Sequence, residues 1–158
     1  MRTIIPVTVA LLLIVNLCPA QTPPVFPPDR DLLLKGDPLG IPARAEAYSY
    51  PSPQKALSFK EDLGLTKDQI RKFEELINNT TVSATVKGAE IIEVEDDFNK
   101  SFESGTITDR ILRAKLERIG KLRSEYGFIQ LQVYLKVKQI LSANQYERYK
   151  ELVHGEAK

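Results

Sequence analysis

The side chains able to do chemistry are few, and their placement narrows what the chain can do. His154 and Cys18 are its single histidine and single cysteine, which excludes a Cys/His metal cluster, a CxxC redox pair and an intramolecular disulfide. A nucleophile paired with a histidine base is out of reach for a histidine so near the C-terminus, and there is no glycine-rich phosphate loop. Two charged runs remain. Glu90, Glu93, Glu95, Asp96 and Asp97 form the acidic one; Arg110, Arg113, Lys115, Arg118, Lys121 and Arg123 form the basic one. Glu93 with Asp96 and Asp97 can hold a hard cation loosely, and two copies of His154 can bridge a divalent metal across a dimer. Acidic runs on helices ordinarily face water without a ligand, so the expectation is no enzyme, no catalytic residue and no cofactor, with His154 the one candidate metal ligand. Glu95 alone of the acids falls on a core-facing helical position.

The elements that must position these charges come after a leader. Arg2 precedes an apolar run over residues 4–17, and residues 18–20 are small where a signal peptidase needs them, so cleavage is expected after Ala20. The run is shorter than the roughly 18 residues of a membrane span, so no transmembrane segment is expected after cleavage. Acylation of Cys18 is disfavoured by the bulky Leu17 before it. The chain from Gln21 onward has no cysteine and equal numbers of acids and bases, which gives no case for nucleic-acid binding. Asn78 and Asn79 each open an N-x-T sequon, which matters only in a eukaryotic secretory route.

Every proline past the leader lies between Pro23 and Pro53, so residues 21–52 read as a Pro-rich flexible, extended arm. Leu32, Leu33 and Leu34 interrupt it; docking on a partner, docking on the body of the protein and an isolated turn all suit them. From residue 53 to 154 the pattern is helical, with a tail at 155–158. Ser52 can cap a short helix opened by Pro53 and closed by Gly64. A helix of nearly 40 residues, or roughly 58 Å, follows from Thr66, with Ile70, Phe73, Ile77, Ala84, Ile91, Phe98 and Phe102 on one face at near-heptad, coiled-coil-like spacing. The β-branched residues among 80–86 and Gly88 weaken it, so a bend or a short strand competes there. A turn at 103–108 leads to a third helix, capped by Thr108 or Asp109, with Leu112, Leu116, Ile119, Leu122, Tyr126, Ile129, Val133, Val137 and Ile140 on its apolar face. A short fourth helix carries Tyr146, Tyr149, Leu152 and Val153. The expected fold is all-α, a long antiparallel helical hairpin with short end helices.

One capping device occurs twice. Thr66 and Ser142 suit N-caps, Gln69 and Gln145 sit at N3 to complete capping boxes, and Leu65 and Leu141 can staple onto Ile70 and Tyr146. The repeat resembles the paired LTxxQ motifs of the periplasmic CpxP/Spy family, whose relatives include the zinc-associated ZraP and the metal sensor CnrX. Leu65, Thr66 and Gln69 match the first motif in full; Leu141 and Gln145 match the second, with Ser142 in place of threonine. The long preceding helix, the FESG turn at 102–105 and the motif spacing agree, so the likeness spans about residues 54–153.

The resemblance implies a cradle-shaped antiparallel homodimer exported to the bacterial periplasm. It implies a stress-response protein that binds unfolded envelope proteins as an ATP-independent chaperone, or that modulates a sensor-kinase or anti-sigma sensor domain. In Spy-like members the concave face is basic with apolar patches, which points to Arg110, Arg113, Lys115, Arg118, Lys121 and Arg123. Acidic side chains predominate between 61 and 108 and basic ones from 109 onward, so the same charges also suit pairing within the hairpin or between subunits. Metal sensing among the relatives rests on histidines, and this chain has His154 alone. Heavy-metal resistance through a divalent metal at an oligomer interface, and a structural helical interaction module, are the alternative readings.

Overall fold

The computed structural model describes residues 29–40 and 42–156; the leader, the first prolines of the arm and residues 157 and 158 lie outside the described residues. Every regular element described is a helix: α1 (Arg30–Lys35), α2 (Pro42–Ala47), α3 (Pro53–Ser58), α4 (Lys67–Glu103), α5 (Asp109–Ile140) and α6 (Ala143–Glu156). The fold is all-α, with α4 and α5 in close contact as a hairpin-like core and short helices around them.

The two long helices run antiparallel. As residue number falls along α4 it rises along α5: Asp97 meets Lys115, Glu95 meets Arg123, Lys87 meets Glu125 at 3.0 Å, and Gln69 reaches the Ile140 carbonyl at 2.9 Å. Gly105, at φ +65°, makes the reversal between them, and the Thr108 hydroxyl accepts from the Ile111 N–H at 3.3 Å to start α5. Helix α4 holds 37 residues without a break, about 55 Å of rise. Its β-branched stretch costs only a few tenths of a kcal/mol per residue. Burial of Ala84, Ile91 and Ile92 on its inner face works against that cost.

The core has two main parts. Ala56, Phe73, Val137 and Leu141 form one beside the start of α4, and Leu33, Ala84, Ile91, Ile92, Leu122 and Tyr126 form the other at mid-hairpin. A third, smaller cluster joins Phe59, Leu63 and Tyr149, with the Phe59 and Tyr149 rings edge to face at 6.1 Å; it attaches α6. Ser52 caps α3 as its sequence suggests, but the helix ends at Ser58 and turns carry the chain to Gly64, at φ +57°. The C-terminal helix runs past His154 to Glu156, two residues into the expected tail.

The described part of the arm is not extended. It carries α1 and α2, and α1 lies against α4 with Leu33 fully buried. Of the three readings open for the leucine run, docking on the body of the protein is the one observed, with Leu32 and Leu34 left 39% and 51% exposed. Gly88 permits the approach: a Cβ there would lie 2.1 Å from the Leu33 carbonyl oxygen. Gly36 ends α1 in the left-handed conformation at φ +69°, and its carbonyl accepts from Gln130 Nε2 at 2.7 Å. The Tyr126 hydroxyl donates to the Asp37 carbonyl at 2.6 Å. Among the described residues of the arm, irregular backbone is confined to the stretches around these short helices.

Burial fades toward the turn. The first residue of α5 to be buried is Leu122, although the apolar periodicity starts at Leu112. Phe102 and Leu116 are about half exposed, at 53% and 50%.

Candidate functional site

The two capping motifs are far apart in sequence and touch in space. The Thr66 hydroxyl accepts from the Gln69 N–H at 3.2 Å, and Gln69 Oε1 accepts from the Thr66 N–H at 3.0 Å. The same geometry recurs at Ser142 and Gln145, at 3.2 Å and 2.9 Å. Because the hairpin is antiparallel, both boxes lie at its base, opposite the Gly105 turn, and the glutamines exchange amide hydrogen bonds. Gln69 Nε2 donates to Gln145 Oε1 at 2.8 Å, and Gln145 Nε2 to Gln69 Oε1 at 3.1 Å. Gln145 Nε2 also lies within donating distance of the Leu63 carbonyl at 3.2 Å. Each glutamine therefore completes its own cap and ties α4 to the start of α6.

Replacing both Gln69 and Gln145 by alanine is expected to cost about 2 kcal/mol, roughly 1 for each cap, with a further coupling between them. For a chain of this size that lowers Tm by about 5–10 °C, read by thermal circular dichroism. The double variant should lose less than the two single variants summed, because either one already breaks the shared pair.

Arg123 is the centre of the second polar assembly. Its guanidinium donates to Glu95 Oε1 at 2.9 Å and 2.5 Å and to Asp29 Oδ2 at 2.6 Å. Next to it Arg30 clamps both oxygens of Asp96, at 2.7 Å and 3.0 Å. The Arg123 hydrogen bond holds the Asp29 carboxyl below its usual range, and Arg30 does the same for Asp96. Asp29 in turn raises the Arg123 guanidinium, outweighing burial. Glu95, core-facing as its position implied, is buried, and its partner Arg123 is partly exposed.

These pairings divide the basic run. Lys115 is bound to Asp97 and Arg123 to Asp29 and Glu95, so neither offers a free cation. Arg110, Arg113, Arg118 and Lys121 form no ion pair among the described residues. Arg110 and Arg113 are exposed on the first turns of α5, and Arg113 borders an open depression of about 410 Å³ with Leu112 and Leu116. The six residues are therefore not one patch: a free basic end with apolar neighbours adjoins an intramolecular lock.

The acidic run is divided likewise. Lys87 bridges Glu90 and Glu125, at 2.7 Å and 3.0 Å, while Asp96 and Asp97 are bound as above. Among the described residues no group of three or more histidine, cysteine or acidic side chains is arranged to hold a metal ion, and His154 is exposed. No described helix is long and apolar enough to cross a membrane.

Asp29, Arg30, Gly88 and Gln130 were not singled out as site residues from sequence. Gly88 carried the one usable signal, because a glycine inside a long helix suggests close backbone approach as readily as a bend. Comparison with protein-family models, curated proteins and solved structures gives no match.

Proposed function

We propose that this chain is an exported, non-enzymatic binding protein of the CpxP/Spy-like kind that holds unfolded envelope proteins without nucleotide. The observation that carries the reading is the bare end of the hairpin. Before Leu122 helix α5 buries none of its residues, yet it presents Leu112 and Leu116 beside Arg110 and Arg113, which have no ionic partner among the described residues. Such a surface suits unfolded chains, because charge draws them in and half-exposed apolar side chains then hold them. The duplicated capping boxes, each formed with its glutamine at N3, are consistent with the family likeness. A sensor domain of an envelope stress system would use the same surface. A homodimer of this kind would take up part of the same apolar face.

The test is aggregation suppression. Protein comprising residues 21–158 is titrated without nucleotide against a chemically unfolded client while light scattering is followed. Suppression near stoichiometric ratio is expected. Arg110→Glu with Arg113→Glu should raise the ratio needed by about tenfold at low salt and leave Tm unchanged, since both positions are solvated. No suppression at large excess would remove the chaperone reading in favour of a dedicated partner.

A further inference from the structure

The groove that seats α1 is built by the hairpin itself. Ala84, Ile91 and Ile92 of α4 and Leu122 and Tyr126 of α5 pack beneath Leu33, and Gly88 flattens the middle so that a backbone can lie against it. The polar groups around this floor are aimed at the segment that lies there. Glu95 orients the Arg123 guanidinium from the α4 side, and the fork then takes the Asp29 carboxylate. Asp96 takes the Arg30 guanidinium, while the Tyr126 hydroxyl and the Gln130 amide donate to main-chain carbonyls. Recognition of this kind specifies an acid, a base and an apolar anchor, and asks little of the rest of a sequence. The resident helix fills the groove lightly. Its six residues are too few to hold a helix unaided, and Leu33 is its buried side chain. A cavity of about 100 Å³ remains between the turn at Gly36, Asp37 and Pro38 and Thr80 and Thr81 of α4. The clusters that close the base of the hairpin contain no described residue of the arm.

We infer that this groove is a binding surface for a short amphipathic helix of a partner protein, with α1 as its internal competitor. The segment it takes carries an acid, a base beside it and a leucine four residues after the acid, the pattern of Asp29, Arg30 and Leu33. Such a segment displaces the arm while the base of the hairpin stays folded. The surface lies at mid-hairpin, apart from the bare turn end, and its use does not depend on what that end binds.

The probe is a labelled synthetic peptide of residues 29–40, titrated to about 1 mM against protein comprising residues 21–158. Asp29→Asn with Leu33→Ala weakens the resident arm and should raise the affinity for the peptide at least about tenfold over the native chain, because competition from within the chain is reduced. Adding Gly88→Ala to that variant should abolish binding, since its Cβ falls 2.1 Å from the place of the Leu33 carbonyl oxygen. Arg110→Glu with Arg113→Glu should leave the peptide affinity unchanged, which separates a failure here from a failure at the turn end. Circular dichroism of the opened variant should show the long helices intact. In the native chain, amide exchange at Leu33, Gly36 and Asp37 should be at least about tenfold faster than at Phe73 and Val137. No binding by either chain, equal affinity of the two, or binding that survives Gly88→Ala would overturn the inference. Equal exchange rates, or loss of the long helices on opening, would overturn it as well, by making α1 part of the core.

Discussion

Gly88→Ala should lower stability by about 2 kcal/mol, although alanine is the better helix former by roughly 0.5–1 kcal/mol. The new Cβ would meet the Leu33 carbonyl oxygen at 2.1 Å and its carbonyl carbon at 2.8 Å. Backbone atoms of a second helix cannot swing aside as a side-chain end can, so α1 must lift. Lifting exposes Leu33, worth about 1.5–3 kcal/mol when fully buried, and loosens the bonds from Tyr126 and Gln130 to the backbone after α1. Urea unfolding followed by circular dichroism measures the loss. Gly120→Ala is the matched control: nothing lies within 4 Å of a Cβ there, and the site is exposed, so a gain of about 0.5–1 kcal/mol is expected. Leu33→Ala should cost about 2–3 kcal/mol in the native background and far less once Gly88 is alanine. Full additivity of the two would show that α1 stays seated and that the clash is relieved elsewhere.

Arg123→Met should cost about 2 kcal/mol at neutral pH, because it strands a buried carboxylate and frees Asp29 together. Breaking a fully buried pair costs about 3–5 kcal/mol, and the partial exposure of Arg123, 30% of its side chain, reduces that. Adding Glu95→Leu should recover much of the loss, since an apolar pair leaves no unmatched charge. The pH dependence follows from Asp29 and Asp96, both held below their usual range by an arginine. A depressed carboxyl contributes stability that is whole above its unfolded value, near pH 4, and drains away as pH falls through the lower folded value. The native chain should therefore lose stability as pH falls below about 4, and Arg123→Met should lose less over the same fall. Identical acid profiles for the two proteins would remove Asp29 from the account.

What could be read from the sequence was whatever is local. The capping boxes span four residues each, Thr66 to Gln69 and Ser142 to Gln145, and both form as their spacing requires. Their mutual contact joins residues 76 apart, and no window on the chain displays it. Helical periodicity located the inward face of α5 at Leu122, Tyr126, Val133 and Val137. It ran on through Leu112 and Leu116, because a period marks a face and is silent about what covers it. Proline density made the arm look extended, while the pattern for a short helix was also present: Lys35 in the last turn and Gly36 immediately after it. The basic run looked uniform because charge on a helix is visible in sequence and its partners are not. Asp29, the partner that divides the run, precedes Arg123 by 94 residues.

The bare end of the hairpin also bears on how quickly the molecule can be made. In a helical hairpin the contacts beside the turn are cheap to form, since little chain must be gathered to reach them. Here that end offers the Lys115–Asp97 pair, 18 residues apart, and little burial. The well-buried contacts lie farther out: Leu33 against Leu122 and Tyr126, Phe73 against Val137, and the glutamine pair. A nucleus that starts at the turn gains little before a long loop has closed, so loop-closure entropy falls early and its return comes late. This chain should cross its folding barrier more slowly than its helical content suggests, with the base of the hairpin, and not its turn, setting the pace.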